Sequence, residues 1–222
     1  MDPTSSKIRP QLLILFWFAA TGACLAGFAA QGGDGPPVEP FPVGEKLIYK
    51  VSWMGIKCGH MEIISFVEQN RDSPAVYRIV LFARTSKFFD GIYKVRSRLD
   101  SYVDPVRMAS FRYEEHAVEK KKRKDDVWRF DHESGEALRE QDGEVTRIPI
   151  GGERPLDPLA FVYRLRSIEP EVGNEMALEL MTKKGAVETL ARTTQAKKVK
   201  TRMGRCEAVA VVPEPRDKMM FS

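Results

Sequence analysis

Histidine and cysteine are scarce in this chain, three of each among 222 residues, and their placement removes most of the usual catalytic arrangements. His60, His116 and His132 fall in separate segments with no partner at metal-ligand spacing, so no metal site is expected. A glycine-rich phosphate loop, a nucleophile-elbow pattern and a locally supported Cys–His pair are all missing. Two carboxylate features bear only a surface likeness to acid–base machinery. Asp157 stands directly before Pro158 and a helical period, which is the place of an N-cap. Glu114 and Glu115 are neighbours in a strand pattern and point to opposite faces, so they cannot grip one substrate atom together. The expectation is a protein without enzymatic activity and without a cofactor.

Long apolar runs are also scarce. One stretch, Leu12 to Ala30, carries no charge, opens with Leu-Leu-Ile-Leu-Phe-Trp-Phe and follows the basic residues Lys7 and Arg9. A basic flank, an apolar centre and a small-residue exit make a secretory signal, so residues 1–30 are expected to export the chain to the periplasm or cell envelope, with cleavage after Ala29. Two alternatives share that destination. Left uncut, the stretch is just long enough to anchor in a bilayer with the remainder outside. Thr21-Gly22-Ala23-Cys24 is similar to a lipoprotein box, which makes Cys24 a candidate for lipidation. Residues 31–42, rich in Gly and Pro, read as a flexible lead-in, and 43–222 as a single domain. Beyond Ala29 only Cys58 and Cys206 remain, in a compartment that permits disulfides. A Cys58–Cys206 bridge and two unpaired thiols are both open readings.

Acidic residues are thinly spread where basic ones gather. Between Arg78 and Arg98 the only acid is Asp90, and between Lys183 and Arg205 the only acid is Glu188. Such faces suit anionic head groups or polysaccharide, with Lys94, Arg96, Arg98, Lys197, Lys198 and Lys200 as the contacting residues. Nucleic acid is excluded as a partner, because export removes it and no aromatic platform interleaves with the basic runs.

What the chain has in quantity is strand pattern. Lys46 to Trp53 alternates with Leu47, Tyr49, Val51 and Trp53 on one face; Ala75 to Thr85 repeats this with Tyr77, Ile79, Leu81 and Ala83. The segment Tyr93 to Val103 predicts a strand with Tyr93, Val95, Leu99 and Val103 inward and Lys94, Arg96, Arg98 and Asp100 outward, a wet face on which changing Arg96 should cost little. Asp142-Gly143 predicts a hairpin turn, and the lysines of 120–124 a charged edge or hairpin. One short helix is predicted from Pro158, with Leu159, Val162, Tyr163 and Arg166 at helical spacing. The fold class is therefore mainly β: a curved antiparallel sheet or open β-barrel carrying one short helix, with a concave face as the binding surface.

Several of these blocks occur together. Phe41-x-Val43-Gly44-Glu45-x-Leu47-x-Tyr49-x-Val51-x-Trp53-x-Gly55-Ile56, then Ala83-Arg84-Thr85, Tyr93-x-Val95, Arg129-Phe130-Asp131, Asp157-Pro158-Leu159 and Tyr163-x-Leu165-Arg166, resemble the bacterial exported family called domain of unknown function 3108. The resemblance implies an envelope protein rich in antiparallel strand and brings no catalytic residues. It also implies that the family pattern runs past Ser222, so the chain is expected to lack strands that finish its sheet. Cys58 departs from it, standing where the family usually has a small residue. The leading expectation is an apolar or amphipathic ligand, or a partner protein, on the concave sheet. The alternative is attachment to anionic envelope polymer or lipid through the basic strand faces.

Overall fold

The computed structural model describes residues 43–69, 75–168, 171–201 and 204–216. The expected signal segment with Cys24, the lead-in 31–42 and the tail 217–222 lie outside the described residues. Eight strands in sequence order form one antiparallel meander: β1 (Lys46–Trp53), β2 (Ile56–Glu68), β3 (Val76–Thr85), β4 (Val95–Asp104), β5 (Ala109–Glu119), β6 (Lys122–Asp131), β7 (Glu136–Gln141) and β8 (Glu144–Pro149). The meander does not close into a barrel. A smaller sheet has the order β12 (Gly204–Pro215), β11 (Gly185–Thr201), β10 (Glu175–Thr182) and β9 (Pro155–Leu156), with β9 parallel to β10. Among the described residues no helix is long and apolar enough to cross a membrane.

The alternating residues explain why the large sheet is one-sided. Met61, Ile63, Ile79, Leu81, Val103, Tyr113, Trp128 and Phe130 form its buried face. They pack against helix α2 (Pro158–Leu165) through Leu159, Ala160, Phe161 and Tyr163, and against Leu178 and Met181 of β10. The inward face is thus occupied by the chain's own helix and second sheet. Chain reversal at Asp142 and Gly143 uses two consecutive positive φ angles, 53° and 89°, as the two-residue hairpin turn demands.

Helix α2 is held by the residues predicted for it. Asp157 accepts from the amides of Leu159 and Ala160 at 2.9 and 3.0 Å, with Pro158 at the first helical position. The same buried carboxylate also accepts from the hydroxyls of Ser101 on β4 and Ser110 on β5, each at 2.6 Å, tying the helix start to the large sheet. At the far end Arg166 makes a two-pronged ion pair with Glu45, at 2.5 and 2.8 Å, which fastens the helix to the entry of β1. Several blocks of the family-like pattern are therefore structural ties.

One element departs from expectation. The β3–β4 connection contains a second helix, α1 (Lys87–Tyr93), so Tyr93 ends a helix rather than starting a strand. Its sequence, Lys-Phe-Phe-Asp-Gly-Ile-Tyr, combines aromatic, β-branched and glycine residues of weak helix propensity. Tertiary ties supply what propensity lacks. Thr85 Oγ1 donates to Asp90 at 2.6 Å and accepts from the Val95 amide at 2.9 Å, while Arg96 grips both oxygens of Asp90 at 2.9 and 2.6 Å. Phe89 is buried beneath the helix, leaving Phe88 and Ile92 outward.

Candidate functional site

The face of the large sheet turned away from the core is not simply wetted. Between β2 and β6 it forms an open groove of about 650 Å³, lined by His60 and Glu62 of β2, Phe82 and Arg84 of β3, Arg96 and Arg98 of β4, His116 and Val118 of β5, and Arg123 and Asp125 of β6. The register explains the assembly. Arg84 lies directly opposite Arg96, His60 opposite Arg84, Arg98 opposite both Phe82 and His116, and His116 opposite Asp125. Period two on five neighbouring strands brings side chains far apart in sequence to one patch.

Most charges in the groove are committed to one another. Arg98 binds Asp100 at 2.7 Å, and Asp100, only 1% exposed, also receives Arg78 at 2.7 Å. Burial pushes the Asp100 carboxyl up, but the bonds from Arg98 and Arg78 outweigh it and hold the group below its ordinary range. Asp90 is lowered to about 2 by its hydrogen bonds from Arg96 and Thr85. Arg123 and His116 share Asp125, both at 2.7 Å, and the His116 ring is raised chiefly by that bond.

Arg84 is the exception. Its Nε donates to His60 Nε2 at 2.5 Å, and among the described residues no carboxylate lies within ion-pair distance of it. Like charges placed directly opposite on adjacent strands repel, and Asp90 relieves only the Arg96 half of the Arg84–Arg96 pair. The arrangement leaves an open cationic position beside Arg96, in a groove that Arg98 and Arg123 also line.

The structure sorts the predicted contact residues into three groups. Arg98 lines the groove, and Lys94 is exposed at its edge. Arg96 lines it too, but its guanidinium is taken up by Asp90, Thr85 and the Val95 carbonyl, so the expectation that it is a dispensable surface charge is corrected. Lys197, Lys198 and Lys200 are exposed on the part of β11 that pairs with β12 alone, in the other sheet, and do not line the groove. Arg84 was legible as the outward residue of β3's alternation, but its position facing Arg96 is a matter of register.

The Cys58–Cys206 bridge is not made. Cys58 is a free thiol on β2, its Sγ 3.3 Å from the Val51 carbonyl beside the bulge between β1 and β2, while Cys206 lies on β12 of the smaller sheet, opposite Val199. The strands carrying the two cysteines belong to different sheets. Among the described residues no cluster of His, Cys, Asp and Glu is able to hold a metal ion. Asp157 is buried with four donors around it. Burial raises its carboxyl above the ordinary range against the lowering by the two serine hydroxyls and two helix amides. Enclosed in this way, it is a structural cap.

Neither the curated proteins nor the solved structures contain a match to this chain. A family model does match, over residues 48–222, from the third residue of β1 through both sheets. The chain belongs to the family described as protein of unknown function DUF3108.

Proposed function

We propose that this protein is a non-enzymatic, exported component of the cell envelope whose outer groove holds an anionic group of an envelope lipid or polymer. Arg84 carries this reading: an arginine facing another arginine across two strands, in an open groove, with a histidine rather than a carboxylate as its partner. An incoming phosphate or carboxylate would fill the position that Asp90, Asp100 and Asp125 fill for its neighbours. The reading of an apolar ligand on the concave face has less support, because the apolar side chains there pack against α2 and β10. The apolar N-terminal stretch supports the envelope location.

Calorimetric titration with monomeric short-chain phosphatidylglycerol, and separately with a soluble anionic polysaccharide, tests the proposal and tells the two sources apart. A hydrogen bond to a charged group contributes about 1.5–3 kcal/mol, so Arg84→Gln should weaken the preferred ligand about tenfold or more and make its binding less dependent on salt. Unchanged affinity and salt dependence in Arg84→Gln would refute the assignment.

A further inference from the structure

At one end of the large sheet the connections leave large apolar side chains in water. Trp53, Met54 and Ile56 form the β1–β2 tip, and Phe88 and Ile92 lie one turn apart on the outer side of α1; each exposes between 59% and 81% of its surface. The two patches are neighbours. Thr85 pairs with Gly59, the Ser86 amide donates to the Cys58 carbonyl at 2.8 Å, and α1 follows at once. Because strands alternate in direction, the β5–β6 turn lies at the same end, and the Lys120 amide bonds the Lys94 carbonyl at 2.8 Å. Strand alternation places Trp53 in the inward series, yet β1 and β2 run on past the last paired residue of β3, so no neighbouring strand covers their tip.

The exposed charges around these side chains are basic. Lys57, Lys87, Lys94, Lys120, Lys121 and Lys122 are exposed, and among the described residues none has a carboxylate partner. The acids at these three connections are already engaged: Asp90 by Arg96 and Glu119 by the Tyr93 hydroxyl. Apolar tips ringed by lysines without carboxylate partners, of which Lys120 lies over the Tyr93 ring, match an anionic bilayer surface, whose acyl boundary takes the tips and whose head groups take the cations.

We infer that the β1–β2 tip and α1 together dock the domain edge-on into the surface of a bilayer containing anionic lipid. Trp53, Met54, Ile56, Phe88 and Ile92 enter the acyl boundary, and the surrounding lysines bind head groups. The inference rests on residues other than Arg84 and stands or falls apart from the groove.

The test uses the full chain carrying Trp17→Phe. That leaves two of the three tryptophans, of which Trp128 is buried in the core and Trp53 reports on the tip. Fluorescence is read on adding vesicles of brominated phosphatidylcholine with and without phosphatidylglycerol. Trp53 emission should shift to the blue and be quenched only on the anionic vesicles, since each lysine near such a surface favours association by about fivefold. Met54→Asp combined with Ile92→Asp should abolish the quenching while leaving the near-ultraviolet dichroism of the core unchanged. Vesicle binding through the N-terminal stretch alone would leave Trp53 unquenched and overturn the inference. Equal quenching on neutral vesicles would overturn it too. So would a lipid-independent blue shift that grows with protein concentration, which would assign the tip to a second copy of the chain.

Discussion

Replacing Asp157 by alanine should destabilise the domain by about 3 kcal/mol, whereas asparagine at the same position should cost no more than about 1 kcal/mol. Alanine removes the acceptor for two helix amides, a capping loss of about 1 kcal/mol. It also takes away the acceptor of the Ser101 and Ser110 hydroxyl protons, both fully buried, at about 1–2 kcal/mol each, while Ser110 Oγ still accepts from the backbone amide at position 157. Release from burying a carboxylate offsets part of that sum and places the expectation near its lower end. Asparagine keeps the oxygen that caps Leu159 and Ala160, and Ser101 can turn its proton to accept from the new amide. Urea unfolding followed by tryptophan fluorescence measures both costs, with the denaturant slope checked for constancy. Against a typical total of about 5–15 kcal/mol, the alanine loss is large and readily measured. A pH series adds a signed check. The folded carboxyl is raised by burial, so the native state holds its proton more tightly than the unfolded chain does. This group's contribution therefore falls as pH rises from the unfolded value of about 3.9 through the raised folded one. Asparagine should remove that slope. An alanine cost below about 1 kcal/mol, or an asparagine cost equal to the alanine one, would refute the reasoning that Asp157 acts as a cap shared between helix and sheet.

Two further outcomes are expected. Arg96→Asp should set a carboxylate against Asp90 and loosen α1, seen as faster amide exchange across 87–94, while Arg123→Asp, at an exposed site, should leave those amides unchanged. His116, raised by Asp125, should titrate above 6.5 in an NMR pH series; the stability it contributes is fully present below the unfolded value and fades as pH rises through the folded one, and Asp125→Asn should bring the midpoint down.

Much of the sheet could be read from alternation alone. Ile79 and Leu81 are buried as their pattern predicts, and the turn at Asp142-Gly143 and the start of α2 at Asp157-Pro158 follow from local chemistry. These features depend on residues a few places apart, so the chain order carries them. Helix α1 does not, because Phe88, Gly91 and Ile92 have weak helix propensity and its ties come from Thr85 and Arg96. The outward series of β4 was legible as charged, but not that Asp100 within it is buried between two arginines.

By itself the sequence determined the strand-rich class, the inward residues Ile79 and Leu81 of β3 and Val103 of β4, and the capped helix, since period and capping are local properties of the chain. Tertiary structure alone decided which charges meet. Register set Arg84 opposite Arg96, and the sheet order put Cys58 and Cys206 on separate sheets. The length of β1 and β2 beyond β3 left Trp53 exposed despite its place in an inward series. The physical reason is the same in each case: a side chain's partner depends on which strand lies beside it and at what offset, and a shift of one residue would exchange every one of these contacts for another.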